Sequence, residues 1–359
     1  MSLSVLPSLS FWRGRRVLLT GHTGFKGAWT AVWLAHMGAE VTGFALAPDS
    51  DPALFEMAGL GGRVRSLIGD LRDMSAVRAA VVAAKPEIVL HLAAQPIVRR
   101  SIVDPVETIA VNVLGTAHLL EAVRVEGSAR LVLVVTSDKV YANSDSGRPF
   151  AESDALGGKD PYSASKAATE LVARAFAQSY FEDLGVRLAT ARGGNVVGGG
   201  DYAADRIVPD IVRSALAGET LVLRMPEATR PWQHVLDCIA GYLVYVEAMA
   251  QDEALPRSMN FGPVPGRDVT VRQLAEATLA ALGRPVAWQH EPVAGAKEMK
   301  LLAVDSIRAR SALGWRDRLA GDALVAWTAR WYRAVHAGAD AFDTTLRQIN
   351  DYYQYEPST

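Results

Sequence analysis

Five side chains have the types and spacing to move protons around a small organic substrate. Ser137, Asp138 and Lys139 are consecutive, and Tyr162 and Lys166 follow about two dozen positions after them. A hydroxyl, a carboxyl, two amines and a phenol can relay protons and steady a developing oxyanion. Tyr162 and Lys166 are four apart, so on a helix they share one face. A phenol titrating near ~10 is a poor base at neutral pH, and a lysine one turn away favours its phenolate.

Two elements must position this set. Leu131 to Val135 is an unbroken, mostly β-branched apolar run, which reads as a strand buried on both faces of a parallel sheet. Thr136-Ser137-Asp138-Lys139 falls at its carboxyl end, where open α/β sheets bring ligands to catalytic side chains. A helix over 162–184 carries the tyrosine and the second lysine.

A second motif lies near the amino terminus. A strand at 17–20, the loop Gly21-His22-Thr23-Gly24-Phe25-Lys26-Gly27 and a helix at 28–37 follow one another. That context points to a dinucleotide site. Glycines let the backbone approach a pyrophosphate, and the helix presents free N–H groups. Gly21, Thr23, Gly24, Phe25, Lys26 and Gly27 are therefore candidate cofactor contacts, with Lys26 facing a phosphate. The spacing is G-x-x-G-x-x-G, and a plain glycine turn has the same local pattern. The second strand, 40–46, ends without an acid for a ribose and without a nearby base for a 2′-phosphate, which favours NAD over NADP. After a third strand (63–68), Asp70 and Leu71 are candidates for the adenine edge. The acid there is equally suited to capping the helix from Met74. A fourth strand (87–92) leads to Ala93, Ala94 and Gln95, whose small neighbours leave room for a flat cofactor. Asn112, on a long amphipathic helix at 104–125, is a further cofactor candidate, as are Tyr162 and Lys166.

Alternating strands and helices to residue 192 imply an α/β, Rossmann-type, doubly wound parallel sheet. Beyond Arg192 the chain turns loop-like, implying a smaller mixed α/β substrate-binding lobe. The expected division is a cofactor domain at 1–192 with 235–262 returning to it, a lobe at 193–234 and 263–345, and a tail at 346–359. The formal net charge of −2 argues against a nucleic acid or an anionic membrane as partner. No apolar run approaches the ~20 residues of a membrane span, and residues 1–10 do not read as a secretion signal. One cysteine, Cys238, cannot form an internal disulfide and points to a reducing, cytoplasmic setting. No cysteine pair or H-x-x-x-H spacing marks a metal site, and His91 and His118 read as structural.

The glycine loop together with Tyr162-x-x-x-Lys166 resembles the nucleotide-sugar branch of the extended short-chain dehydrogenase/reductases, over roughly residues 11–353. Within that branch, the stretches 21–27, 136–141, 194–201 and Arg230-Pro231-Trp232-Gln233-His234 are similar to those of the CDP-glucose 4,6-dehydratases. Related dTDP-glucose and GDP-mannose dehydratases carry Glu where this chain has Lys139. The resemblance implies tightly held NAD, a CDP-hexose substrate and no net redox change. It also implies a homodimer or homotetramer joined through the helices at 104–125 and 162–184. Tyr162, helped by Lys166 and by the nicotinamide charge, would take the proton of the sugar 4-hydroxyl, and Ser137 would bond O4. Asp138 would be the acid that expels the 6-hydroxyl. Lys139 would be the base at C5, or would only hold the sugar or pair with Asp138. Arg206 and Arg230 are candidates for the substrate pyrophosphate, because guanidinium forks match phosphate oxygens. Gln95, Asn195 and Asn260 are further substrate candidates. One departure is Leu301, where the family tends to place a tyrosine a few residues after Glu298. An epimerase of the same branch and a non-catalytic NAD(H)-binding regulator are the alternatives. Nothing in the sequence identifies which nucleotide base is read.

Overall fold

The computed structural model describes residues 5–143, 147–264, 269–291 and 302–356. Glu298 and Leu301 lie outside them. Seven strands form one sheet: β1 (Arg16–Thr20), β2 (Glu40–Ala45), β3 (Arg65–Ile68), β4 (Ile88–His91), β5 (Leu131–Val135), β6 (Arg187–Gly193) and β7 (Ser258–Phe261). Their order across the sheet is 3-2-1-4-5-6-7, and every neighbouring pair is parallel. The order reverses between β1 and β4, which opens a crevice at the carboxyl ends of those strands.

Helices cover both faces: α1 (Phe25–His36), α2 (Met74–Ala84), α3 (Pro105–Glu126), α4 (Pro161–Phe176), α5 (Ile207–Ala217), α6 (Val235–Gln251), α7 (Val271–Ala281), α8 (Asp322–His336) and α9 (Ala341–Gln354). The alternation of a strand sorts its side chains between the layers. In β5, Leu131, Leu133 and Val135 join a core with α1 and α6, while Val132 and Val134 join one with α2 and α3. All five are buried, which is why the run is apolar without a break.

Three elements differ from the sequence reading. The long helix at 104–125 has a wide π turn at Ala110–Leu114, with Asn112 inside it. The helix expected to reach about Leu184 is α-helical to Phe176 and continues as a π turn, Ala177–Phe181, before Gly185 at φ 66 turns the chain back to β6. Residues 346–354 are not a tail but most of α9. Leu346, Ile349 and Tyr353 recur at helical spacing among polar neighbours, and Ile349 and Tyr352 are fully buried. Tyr352 packs edge-on against Trp33 of α1. By length and composition α3 would cross a membrane, yet Leu119, Leu120 and Val123 are buried in the core it shares with α2.

Candidate active site

The chain leaves β5 into one tight turn, Asp138–Val140, capped by Ser137, whose Oγ accepts from Lys139 N at 3.2 Å. Ser137 Oγ donates to Asp138 Oδ1 at 2.9 Å. Lys139 Nζ donates to the same oxygen at 3.2 Å and to Asn195 Oδ1 at 3.1 Å. Asp138 is wholly buried, and its Oδ2 has no partner. Leaving such an oxygen unpaired costs on the order of 1–3 kcal/mol, which makes it a candidate for a catalytic contact. Lys139 is thus paired with Asp138 in this turn.

Helix α4 begins where it does because Asp160 caps it, accepting from Ser163 N at 2.9 Å, and Pro161 fits its first position. This places buried Tyr162 and Lys166 on the face toward the β5 end, and Lys166 Nζ donates to Val135 O at 3.3 Å. Burial pushes the Tyr162 phenol up to about 12, against a hydrogen bond with Ser137 that lowers it. Burial, reinforced by the Lys26 charge, pushes Lys166 down to about 7, while Glu170 opposes the shift. The expected depression of the tyrosine is therefore absent from the chain alone. Two groups buried together both resist ionisation, so the lysine weakens as a partner just where the phenolate needs one.

The glycine loop is shaped by contacts that leave no space for side chains. Gly21 has φ +78, and a Cβ there would fall 2.7 Å from Ala93 N. A Cβ at Gly27 would fall 1.9 Å from Gly21 O, so α1 can approach the loop only with glycine at that position. At Gly24 the nearest atom would be Gly21 O at 3.5 Å, which leaves the outer side of the loop open. Gly24 is also the N-cap of α1 and has no side chain to bond the first amides. The helix starts three residues earlier than the sequence suggested, so Phe25, Lys26 and Gly27 form its first turn. This cradle fits a pyrophosphate. Thr23 Oγ1 donates to Leu46 O at 2.8 Å and ties the loop to the end of β2. Lys26 does not simply face outward. Its Nζ lies 5.9 Å from the centre of the Tyr242 ring, and burial lowers its pKa, with charges on Arg206, Asp138 and Lys139 near enough to act on it.

The other cofactor candidates are mostly engaged within the protein. Asp70 is gripped by Arg72, with Oδ2 accepting from Nε at 2.9 Å and from a terminal nitrogen at 2.6 Å, and these bonds hold its carboxyl low. The cap of α2 is Asp73 instead. Leu71 is buried, and its carbonyl accepts from His118 Nδ1 at 2.9 Å. Ala93 and Ala94 are half-buried beside the loop. Asn112 Oδ1 accepts from Gln95 N at 2.8 Å, and the Gln95 amide donates to Thr108 Oγ1 at 2.9 Å. These two amides shape the chain after β4 rather than standing free in the crevice. His91 bridges Thr20 and Thr116 at 2.7 and 2.9 Å, and burial pushes it down to about 3.

Among the substrate candidates, Asn195 holds Lys139, as described. Arg206, the residue before α5, pairs with Asp201 at 3.0 Å, and its charge also reaches Tyr162. Lys26, Lys139 and Arg206 thus converge near the β5 end, a setting suited to phosphates. Arg230 is buried and donates to Thr229 O at 2.8 Å. Asn260 is the exception. It is fully buried, its Oδ1 accepts from Tyr141 at 2.6 Å, and its amide donates to Phe150 O and Asp305 O at 2.8 and 3.0 Å. It fastens the end of β7, and its amide has no donor left for a substrate. Sequence reasoning missed Glu170 and Arg192, a buried ion pair at 2.8 Å beneath the turn. The available signals were an acid four residues after Lys166 and a base ending an apolar strand. No group of three His, Cys, Asp or Glu able to hold a metal ion occurs among the described residues.

A parallel sheet with its crevice at β1 and β4, a glycine cradle and a Tyr-x-x-x-Lys helix define a Rossmann-type dinucleotide-binding protein. The chain belongs to the GDP-mannose 4,6 dehydratase family, whose sequence profile matches residues 18–328. It is 41% identical over 349 residues to a CDP-glucose 4,6-dehydratase of Salmonella typhimurium, a match covering 96% of this chain and 97% of that protein. Among solved structures, the dTDP-glucose 4,6-dehydratase of Streptomyces venezuelae with NAD bound superposes with a TM-score of 0.76 at 26% identity, covering 91% of this chain and 99% of that one. The Thermus thermophilus UDP-glucose 4-epimerase in complex with NAD gives a TM-score of 0.74 at 26% identity, covering 89% and 99%.

Proposed function

We propose that this chain removes water from CDP-glucose to give CDP-4-dehydro-6-deoxyglucose, with the hydrogen of C4 ending on C6. NAD, when bound, supplies the hydride acceptor and donor and a positively charged ring. The residues of the cradle fit it, with Gly21, Gly24, Gly27 and the first turn of α1 around its pyrophosphate.

The observation that carries this reading is the Asp138 carboxyl. One oxygen is tied to Ser137 and Lys139, and the other is buried and unpartnered. Moving one proton from Lys139 to Asp138 leaves a neutral amine and an O–H on the same turn. The amine is then the base for the C5 proton, and the O–H is the acid for the departing 6-hydroxyl. Tyr162 takes the proton of the 4-hydroxyl, Lys166 supports it, and Ser137 bonds O4. Arg206 and Arg230 meet the substrate pyrophosphate. An epimerase needs no acid at C6, so the Asp138 arrangement speaks for dehydration. The choice of CDP is supported by the 41% identity with the Salmonella enzyme.

In this reading residues 1–192 and 235–262 bind the cofactor, and 193–234 with 263–345 bind the sugar nucleotide. The chain assembles as a homodimer or homotetramer through α3 and α4, where Val106, Ile109, Leu114 and Leu171 are exposed. The test is incubation with NAD and, in turn, CDP-, dTDP-, GDP- and UDP-glucose. The alkali-induced ultraviolet absorbance of a 4-keto-6-deoxy sugar is expected with CDP-glucose alone. An inverted stereocentre without that absorbance would instead mean an epimerase, and no change with any sugar would mean a binding protein.

A further inference from the structure

The turn that holds Asp138 and Lys139 is flanked by Thr136 and Tyr141, and one buried ion pair holds both. Thr136 Oγ1 donates to Glu170 Oε1 at 2.5 Å. Glu170 Oε2 accepts from Thr190 Oγ1 and from Arg192, each at 2.8 Å. The other terminal nitrogen of Arg192 donates to the Tyr141 hydroxyl at 2.9 Å, and that hydroxyl donates to Asn260 Oδ1 at 2.6 Å. The side chains of Arg192 and Glu170 are 0% and 2% exposed. Lys166, one helical turn before Glu170, holds Val135 O. Helix α4 therefore grips two successive residues at the end of β5, while Arg192 reaches past the turn to its far side.

A buried ion pair adds little net stability over a well-packed apolar pair, so a buried network of this size calls for another role. We infer that Glu170 and Arg192 are positioning residues: their ion pair clamps the acid–base turn at Thr136 and at Tyr141 and so fixes where Asp138 and Lys139 meet the sugar. This rests on the reading that the turn carries out the elimination.

The test compares the full-length protein with Thr136→Val, Thr136→Ser and Tyr141→Phe. All three leave the ion pair in place, and Phe keeps the ring stacked on Phe150. Loosening the turn by an ångström lowers kcat up to about a hundredfold. The expected result for Thr136→Val and Tyr141→Phe is such a fall, with KM for CDP-glucose nearly unchanged. A larger share of the sugar should leave oxidised at C4 but not dehydrated, because Tyr162 and Lys166 are untouched. Thr136→Ser should restore both values. Amide hydrogen exchange across 137–140 should rise in the two damaging variants, a readout independent of the substrate. Wild-type partitioning and exchange in both variants would overturn the clamp. So would a fall in melting temperature with every step slowed equally and no rescue by serine. A wild-type protein that ignores CDP-glucose would overturn the proposed function instead, and the exchange measurement would still decide on the clamp.

Discussion

In the loop from Gly21 to Gly27 the backbone fills its own space, whereas the turn after β5 is made by side chains that hold one another. A Cβ at Gly27 would meet a carbonyl oxygen at 1.9 Å, so that position tolerates nothing added. Around Asp138, hydrogen bonds between side chains set the geometry. One carboxyl oxygen accepts from Ser137 and Lys139 while the other waits unpaired. The loop is specified by sterics and serves binding. The turn is specified by polar partners and carries an unmet bond for chemistry to use.

Substitutions should separate the two regions. Asp138→Asn keeps the shape of the turn but removes its acid. Turnover should fall by about 10³-fold, in the range of a lost general acid, with KM and melting temperature nearly unchanged. Gly27→Ala should do the reverse. Forcing a methyl group against Gly21 O should cost about 1–3 kcal/mol of stability and weaken NAD binding, both readable by thermal melts with and without NAD. If Asp138→Asn unfolded the protein, or Gly27→Ala left NAD affinity intact, the contrast would be lost.

The smallest effect concerns a buried histidine between the two regions. His91 titrates near 6.5 when unfolded but only at about 3 in the fold. Between those values the unfolded chain binds the extra proton, so stability falls as pH drops below 6.5 and is unaffected by this group above it. His91→Gln should make the loss of unfolding free energy between pH 6.5 and 4 shallower, by up to about 1.4 kcal/mol per pH unit, read from denaturant unfolding at each pH. An unchanged slope would assign the acid sensitivity elsewhere, for instance to His234, which burial also pushes down to about 3.

What the sequence made legible was local. The apolar run of β5, the glycine loop and Tyr162-x-x-x-Lys166 each declare themselves within a few residues, because strand alternation, close backbone approach and helical spacing are short-range effects. What stayed hidden depends on distant partners. Asn260 looked available until Tyr141, Phe150 and Asp305 closed around it. Asp70, read either as an adenine contact or as a cap, is held by Arg72, and Asp73 takes the cap. Glu170 and Arg192 are 22 positions apart and meet only in the fold. At Tyr162 burial outweighs the neighbouring charge in the chain alone, because spacing predicts a neighbour's charge, while burial is a property of the whole domain.

The central claim is that one turn expels water while a hydrogen travels from C4 to C6 of the same sugar. CDP-glucose carrying deuterium at C4 tests it most directly. The account predicts deuterium in the methyl group of the 4-keto-6-deoxy product. Deuterium retained at C4, or lost to solvent with none in the methyl group, would contradict it.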